Sequence, residues 1–224
     1  MLGEVIPHAG CQALYHLEAD GTDSSGNSRD LYDYYEYLPS TYGPGKFNNG
    51  LIPSGWTLYR NDSLGVDLRN NVYGISFWFK ITTHPAEGFG YEFVQWNYQW
   101  NYFGESYTYR SVRVTYANPG GTLVIQLEPC AAATLANFTA TIGQWYKCDI
   151  TADGTTAYLY INGTKYIEAA IGTDDPYLEG DSVYIFGYDV EEVQGMMDEV
   201  AFLDYHRTEQ DIVRQYAFEM GLLL

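Results

Sequence analysis

Paired carboxylates are the residues of this chain that could carry out acid–base chemistry, and their spacing decides whether they do. A retaining glycosidase needs two carboxylates about 5 Å apart, and neighbouring residues on a β-strand point to opposite faces. Asp198 and Glu199 are adjacent in sequence, and so are Glu191 and Glu192. The chain also contains no Gly-x-Ser-x-Gly, His-Glu-x-x-His or phosphate-loop motif. The sequence therefore predicts a protein that is not an enzyme.

Hard oxygen donors gather in one turn-rich segment near the start of the chain. Asp20, Asp23, Ser25 and Asn27 supply the carboxylate, hydroxyl and amide oxygens that Ca²⁺ prefers. Their spacing differs from that of an EF-hand loop. The alternative is a turn in which these side chains bond their own backbone. A structural Ca²⁺ is the one candidate cofactor.

An aromatic and amide tract at residues 95–102 repeats a four-residue unit. Its members are Gln95, Trp96, Asn97, Tyr98, Gln99, Trp100, Asn101 and Tyr102. In an extended chain the four aromatic side chains share one face and the four amides share the other. One interpretation is a ligand surface, where sugar rings stack on Trp and Tyr while amides bind hydroxyl groups. The alternatives are a strand with buried aromatics, and a contact with another protein, because Trp and Tyr are enriched in interface hot spots.

Strand length separates the two halves of this tract. Residues 91–95 already form a strand of ordinary length, about 5–6 residues, so the second tetrad should project beyond the sheet. We expect Trp96 in or near the core, and Trp100 and Tyr102 at an exposed hairpin tip. The predicted ligand residues are Asn97, Tyr98, Trp100, Asn101 and Tyr102, with the outward tyrosines Tyr158 and Tyr160 as a further contact surface.

Residues 144–163 predict the strands on which the fold is organised. Tyr146, Cys148 and Ile150 alternate with Lys147, Asp149 and Thr151, which is the period of a half-buried strand. Asp-Gly at 153–154 and Asn-Gly at 162–163 are tight-turn pairs. Between the turns, Ala157, Leu159 and Ile161 take one face and Tyr158 and Tyr160 the other. The segment therefore predicts three antiparallel strands in a meander.

Similar short apolar runs recur along the rest of the chain between turn residues. The predicted strands are at residues 13–18, 32–37, 56–59, 63–67, 75–81, 91–96, 111–116, 122–127, 183–187 and 197–203, while 131–140 is expected to be a loop. The core prediction places Phe77, Phe79, Cys148, Ile150, Leu159, Ile161, Val200 and Phe202 inward. Thr208 and Asp211 have the spacing of a helix N-cap, so a helix to about residue 218 should pack on the strands. This pattern predicts an all-β fold, a two-sheet antiparallel jelly-roll sandwich with a short C-terminal helix.

Four segments, in the right order, give the chain a resemblance to laminin-G-like domains of the concanavalin A-like lectins and glucanases. They are residues 14–27 with their Asp-Ser-Ser-Gly-Asn loop, 75–81 (Ile-Ser-Phe-Trp-Phe-Lys-Ile), 145–163 (Trp-Tyr-Lys-Cys-Asp-Ile and the two turns) and 195–216 with Asp-Glu-Val. The resemblance implies a jelly roll over residues 11–224, preceded by an arm at 1–10. It also implies that the first and last strands pair, which would bring Asp198 near Asp20, Asp23 and Asn27 at a calcium site.

The amino-acid composition restricts the classes of partner that the protein is expected to bind. The net charge of −18 disfavours nucleic acid and anionic membrane surfaces, which need a basic footprint. No apolar run approaches the roughly 18 residues of a membrane span, and the first residues lack the basic region of a signal peptide. Three cysteines form no zinc motif; Cys148 is expected to be a buried thiol, and whether Cys11 and Cys130 pair is left open.

The expected function is therefore that of a non-catalytic jelly-roll module, displayed on a virion or other extracellular surface. In one interpretation, it binds a glycan or a receptor through its aromatic residues. In the alternative, it is a structural decoration or fibre protein of a phage particle that makes only protein–protein contacts, with neighbouring subunits as partners. Its 23 tyrosines suit either role, since tyrosine supplies rigid, amphipathic contact area. An oligomer is compatible with both.

Overall fold

Two antiparallel β-sheets packed face to face form the body of the protein. The computed structural model describes residues 10–33, 40–53, 58–60, 71–97, 111–129, 132–172, 182–186 and 194–222. In this part of the chain, the strands form one sheet of eight and one sheet of seven, and all pairings are antiparallel. The predicted all-β sandwich is confirmed.

The first sheet contains the predicted meander at one side. Its strands are β1 (Cys11–Tyr15), β3 (Thr41–Pro44), β4 (Asn49–Ile52), β6 (Val72–Ile81), β11 (Trp145–Asp153), β12 (Thr156–Ile161), β13 (Thr164–Ala170) and β15 (Gly195–Leu203). Their order is β13-β12-β11-β6-β15-β4-β3, and β1 also pairs with β15. The predicted pairing of the first and last strands is therefore present.

The second sheet lies on the other side of the core. Its strands are β2 (Tyr32–Asp33), β5 (Leu58–Arg60), β7 (Gly90–Asn97), β8 (Ser111–Ala117), β9 (Val124–Pro129), β10 (Thr134–Asn137) and β14 (Ser182–Ile185), in the order β10-β9-β8-β7-β14-β5-β2. The prediction of a loop at residues 131–140 was wrong in part, because β10 pairs with β9 within this range and forms the edge of the sheet. Its short, polar-flanked run carries too little alternation to indicate a strand by itself.

The core fills the space between the sheets with alternating side chains from both. Phe77, Phe79, Cys148, Ile150, Leu159, Ile161, Val200 and Phe202 all lie in it, as predicted. The Phe79 and Phe93 rings are 4.5 Å apart between centroids, so β6 of one sheet contacts β7 of the other directly. Cys11 and Cys148 are buried free thiols, and Cys130 lies outside the described residues.

Tight turns hold the meander in register. Asn162 and Gly163 both have positive φ, of 51° and 75°, which matches the twist of a two-residue hairpin. The Asn162 side-chain oxygen also accepts a hydrogen bond from the Lys147 amide, 2.9 Å away. This turn therefore joins β12 to β13 and is anchored to β11 as well.

Helix α1 (Glu209–Glu219) covers part of the outer side of the first sheet. Thr208 and Asp211 form the predicted capping box at its start. Tyr216 packs 6.2 Å from the Trp78 ring, and Glu219 accepts a hydrogen bond from Trp78 Nε1 at 2.8 Å. These contacts agree with the prediction that the helix packs on the sheet rather than on a partner.

Within the described chain, no helix is long and apolar enough to span a membrane.

Candidate functional site

The outer face of the second sheet is polar, although β7, β8, β9 and β14 also supply side chains to the core. In β7, Val94 and Trp96 are fully buried between the sheets, so Gln95 points to the outside. The same alternation turns Arg113 outward between Val112 and Val114 of β8, and Tyr184 outward between Val183 and Ile185 of β14. The sheet thus presents hydrogen-bonding side chains on the side away from the core.

Strand register aligns these side chains in one row, which we call the outer row. Backbone partners run from Glu128 to Arg113, from Arg113 to Gln95, and from Gln95 to Tyr184. The register continues through Tyr59 of β5 to Tyr32 of β2. The row of backbone partners therefore crosses six strands, with the charged side chains of Glu128 and Arg113 at one end and the exposed Tyr32 at the other.

Arg113 is the centre of the charged end. Its Nε lies 2.9 Å from Glu92 Oε2, and its Nη1 lies 3.8 Å from Glu128 Oε2. Gln126 donates a hydrogen bond from Nε2 to Glu128 Oε1 at 2.8 Å. Glu92 and Gln126 face each other across Thr115, so they belong to a second cross-strand row beside the outer row. Arg113 and Glu128 thus link the two rows.

Some side chains on this face are shielded from solvent, and others are accessible. Glu92 and Gln95 are only 8% and 6% exposed, although both point away from the core. Tyr32 is 60% exposed, and Leu135 of β10, which lies opposite Gln126, is 50% exposed. Polar groups that are fixed before a ligand arrives lose less conformational entropy on binding. The face therefore combines pre-oriented hydrogen-bonding groups with accessible apolar and aromatic surface.

The aromatic and amide tract begins on this face. Trp96 is fully buried, and its ring lies 5.9 Å from Tyr73 and 5.6 Å from Phe202, so the prediction for Trp96 is confirmed. Gln95 faces outward as the amide positions should, and Asn97 is the last residue of β7. Tyr98, Trp100, Asn101 and Tyr102 lie outside the described residues, and their role stays a prediction.

Tyr158 and Tyr160 point away from the core, as predicted, but only Tyr158 is accessible. Tyr160 is 3% exposed, and it lies on the side of the first sheet that α1 covers. The expectation of an outward contact surface was therefore wrong for Tyr160, because a helix from a distant part of the chain covers it. Tyr158 is partly exposed and donates a hydrogen bond from its hydroxyl to Asp153 Oδ2 at 3.2 Å.

The proposed calcium turn is held together by its own hydrogen bonds. Asp23 Oδ1 accepts from the amides of Leu14 and Ser25, at 3.0 and 2.8 Å, and Oδ2 accepts from the Arg29 amide at 3.0 Å. Burial opposes ionisation of Asp23, but these amides outweigh it and lower its pKa. This geometry corresponds to the alternative of a backbone-bonded turn.

The other members of the predicted calcium site have separate partners. Asp20 Oδ1 accepts from the Thr22 amide at 2.9 Å, and Asn27 Nδ2 donates to the Cys11 and Gln12 carbonyls at 3.1 and 3.0 Å. Within the described residues, no cluster of three or more His, Cys, Asp or Glu side chains could hold a metal ion, so Asp198 does not join Asp20 and Asp23. Calcium binding at this turn stays a prediction.

Asp198 instead anchors the turn between β3 and β4. Its Oδ2 accepts hydrogen bonds from the amides of Lys46 and Phe47, at 2.8 and 2.9 Å. Burial raises the pKa of this carboxyl to about 7, although the two amides oppose the rise. A raised pKa is also a property of catalytic acids. Asp198 is fully buried, however, so a substrate has no access to it.

Sequence reasoning missed the outer row because its members are far apart along the chain. The alternation within each strand was visible in the sequence, and it correctly divides inward from outward residues. The alignment of Glu128, Arg113, Gln95 and Tyr184 depends on strand order and on an irregularity in β7 between Glu92 and Val94. Neither can be read from a local pattern.

A family model described as the concanavalin A-like lectin/glucanases superfamily matches residues 59–213, which is more than half of the chain. The chain belongs to this superfamily. The matched region includes most of β5, most of the second sheet and the first half of α1. No curated protein is similar to this concanavalin A-like chain at a significant level.

Solved structures similar to this concanavalin A-like domain support the same fold. One is domain 4 of AbnA, an extracellular arabinanase from Geobacillus stearothermophilus, in complex with arabinotriose (16% identity, 91% of this chain, 97% of that chain, TM-score 0.65). Another is the binding domain of Paraclostridial Mosquitocidal Protein 1 (15%, 93% of this chain, 52% of that chain, TM-score 0.65). A third is the binding domain of botulinum neurotoxin serotype D (16% identity, 93% of this chain, 51% of that chain, TM-score 0.61). The chain thus spans about half of these toxin binding domains.

Proposed function

We propose that this protein is a non-catalytic binding module that recognises a glycan, or the glycan of a surface receptor, through the outer face of its second sheet. The observation that carries the proposal is the in-register outer row of Glu128, Arg113, Gln95 and Tyr184. Carboxylate, guanidinium and amide groups bind pairs of hydroxyls, and tyrosines provide apolar rings for stacking. Display on a virion or a cell surface is part of the same proposal.

Two further observations support a glycan as the ligand. The aromatic and amide tract continues from β7, so Trp100, Tyr102, Asn97 and Asn101 follow directly in sequence from Gln95 of the outer row. The similar AbnA domain is in complex with arabinotriose, and other similar structures are toxin binding domains. Fold similarity by itself does not fix function, which is why the site carries the argument.

Binding without catalysis is supported by the carboxylates of this face. Glu92 and Glu128 are both engaged by Arg113 rather than set apart to flank a glycosidic bond. Asp198, with its raised pKa, is buried under the turn that follows β3. We therefore expect bound oligosaccharides to be recovered intact after incubation with the protein.

A glycan array that includes arabino-oligosaccharides tests the proposal, with the wild type compared with Gln95→Ala and Tyr184→Ala. We expect wild-type binding to individual glycans and a loss of at least about tenfold in each variant, because one lost hydrogen bond or stacking contact is worth about 1–2 kcal/mol. Thr139→Ala in the loop after β10 is the matched control, since Thr139 is exposed and lies outside the outer row. A wild type that binds no glycan, or variants that bind as well as the control, would overturn the proposal.

The second candidate function is a structural module that contacts neighbouring subunits. It is favoured by accessible apolar side chains where the edge strands β10 and β13 meet: Leu135 is 50% exposed and Tyr166 is 38% exposed. Tyr166 packs 5.5 Å from Phe138, so it extends the core to the surface. Size-exclusion chromatography with light scattering distinguishes the two functions. A stable oligomer that binds no glycan supports this second candidate, and a monomer that binds glycans excludes it.

A further inference from the structure

The charges on the outer face of the second sheet restrict the class of glycan that it can take. We propose that this face selects uncharged oligosaccharides and rejects glycans that carry carboxylate or sulfate groups. The inference rests on the proposed function, because it specifies the ligand of the same site. It follows from how the one arginine that the outer row contributes is paired with its neighbours.

The positive charge of Arg113 is already balanced by two carboxylates. Its Nε is 2.9 Å from Glu92 Oε2, and its Nη1 is 3.8 Å from Glu128 Oε2, so two carboxylates already share one guanidinium. An anionic sugar at Arg113 would therefore compete with Glu92, which is 8% exposed, and with Glu128 for one positive charge. Because the Glu92 side chain is nearly inaccessible, loss of its pairing with Arg113 would leave a shielded carboxylate without its partner, which is unfavourable.

The three groups together carry a net negative charge. Two carboxylates and one guanidinium leave about one unit of negative charge on the face. The rest of the described outer side chains here, Thr115, Gln126, Gln95 and Tyr184, are uncharged, and the whole chain has a net charge of −18. A sulfate or carboxylate that approaches this surface is therefore repelled, whereas a neutral sugar is not.

The same groups suit the hydroxyls of a neutral sugar. A hydroxyl group both donates and accepts, and a carboxylate oxygen has more than one acceptor site. Glu128 Oε1 accepts from Gln126 at 2.8 Å, and its side chain is 22% exposed, so it remains partly open to solvent. The amide of Gln126 and the Tyr184 ring lie on the same face, on either side of Arg113. Among the described side chains of this face, the arrangement offers acceptors, donors and a ring, and its one cation is already paired with two carboxylates.

The test is an array in which each neutral oligosaccharide is printed beside a counterpart that differs by one sialic acid or one sulfate group. We expect wild-type binding to neutral members and at least about tenfold weaker binding to the charged counterparts, as one repulsive contact near the surface is worth about 1–2 kcal/mol. Binding to the neutral members should change by less than twofold between 50 and 500 mM NaCl, because no ion pair forms with the ligand.

A double variant, Glu92→Gln with Glu128→Gln, provides the second arm. It frees Arg113, so we expect the ratio of charged to neutral binding to rise by about tenfold. A wild type that prefers the charged counterparts, or whose binding falls with salt, overturns the selectivity while leaving the proposed function in place. A wild type that binds neither class overturns the proposed function itself. An unchanged ratio in a double variant that remains folded also overturns the selectivity.

Discussion

Arg207 and Asp149 form a buried ion pair on the outer side of the first sheet, with Nη1 2.6 Å from Oδ1. Both side chains are nearly inaccessible, at 5% and 1% exposed. Ser76 donates a hydrogen bond to the same Asp149 oxygen at 2.8 Å, and Arg207 also donates to Gln215 of α1. This pair therefore connects β6 and β11 to the C-terminal helix, and together with the Trp78–Glu219 hydrogen bond it holds the helix on the sheet.

Removing Arg207 should be costly for that reason. Arg207→Ala leaves the Asp149 carboxylate buried without its partner, so we expect the free energy of unfolding to fall by about 3–5 kcal/mol. Urea unfolding followed by tryptophan fluorescence measures it. Lys165→Ala is the control, since the Lys165–Glu168 pair is 2.8 Å long but lies at the surface. Equal effects of the two substitutions would mean that the buried pair does not hold the helix.

Asp198 should make stability depend on pH. Its pKa is about 7 in the folded protein, well above the ordinary value of 3.8, so the folded state binds a proton more tightly than the unfolded state. Stability is then highest below about pH 4 as far as this group is concerned, and it falls as pH rises to about 7. A rise of about three pKa units corresponds to a loss on the order of 4 kcal/mol.

Asp198→Asn tests this pH dependence. The amide oxygen of asparagine can still accept from the Lys46 and Phe47 amides, but the side chain cannot ionise. We expect the variant to be at least as stable as the wild type at pH 8 and to lack the decline between pH 4 and pH 7. Thermal unfolding across this range measures both curves. Parallel curves for the two proteins would show that Asp198 ionises in the fold without penalty.

Phe77 tests the assignment of the core. Its ring lies 5.9 Å from Phe93 and 6.1 Å from Phe79, and it is fully buried between the sheets. Phe77→Ala should lower the free energy of unfolding by about 3–5 kcal/mol. Phe89→Ala, at a position that is 42% exposed, should change it by less than about 0.5 kcal/mol. A small effect at Phe77 would contradict the packing of β6 against β7.

Substitution of Trp96 should affect stability, whereas substitution of Trp100 should affect ligand binding. Trp96 is fully buried, so Trp96→Ala should destabilise the fold by about 3–5 kcal/mol. Trp100 is expected at an exposed tip, so Trp100→Ala should change the free energy of unfolding by less than about 0.5 kcal/mol while weakening glycan binding. Chemical unfolding measures the free energy of unfolding of both variants, and binding assays measure their affinity for the glycan. If Trp100→Ala unfolds the domain, the tract is part of the core; if it changes neither property, the tract is not a ligand surface.

The sequence predicted the core side of the strands well, because alternation is a local property. Phe77 and Ile150 were correctly placed inward from their neighbours alone. The outward side was predicted less well. Trp78 and Tyr160 do point away from the core, but they are 1% and 3% exposed because the helix that follows β15 folds back over them. No pattern within their own strands indicates which face another element will cover.

The candidate site shows the same limit at a larger scale. Gln95 belongs to a tract whose chemistry was recognised from its residues, yet its partners Arg113 and Tyr184 were not. Arg113 pairs with Gln95 from the neighbouring strand β8, whereas Tyr184 meets Gln95 only because β14, which comes late in the chain, inserts between β7 and β5. Asp198 illustrates the opposite case: the strand pairing behind its prediction as a calcium ligand is present, and its carboxylate accepts a hydrogen bond from the turn after β3, while its role in calcium binding stays a prediction.

The most direct measurement of the central claim is an NMR titration of the ¹⁵N-labelled protein with the oligosaccharide that binds best on the array. The proposed site predicts saturable shifts in the amides of Gln95, Arg113, Glu128 and Tyr184, with those of Tyr158 and Asp149 on the first sheet unchanged. Shifts confined to the turn around Asp23, or to the first sheet, would contradict the claim that the outer face of the second sheet is the binding site.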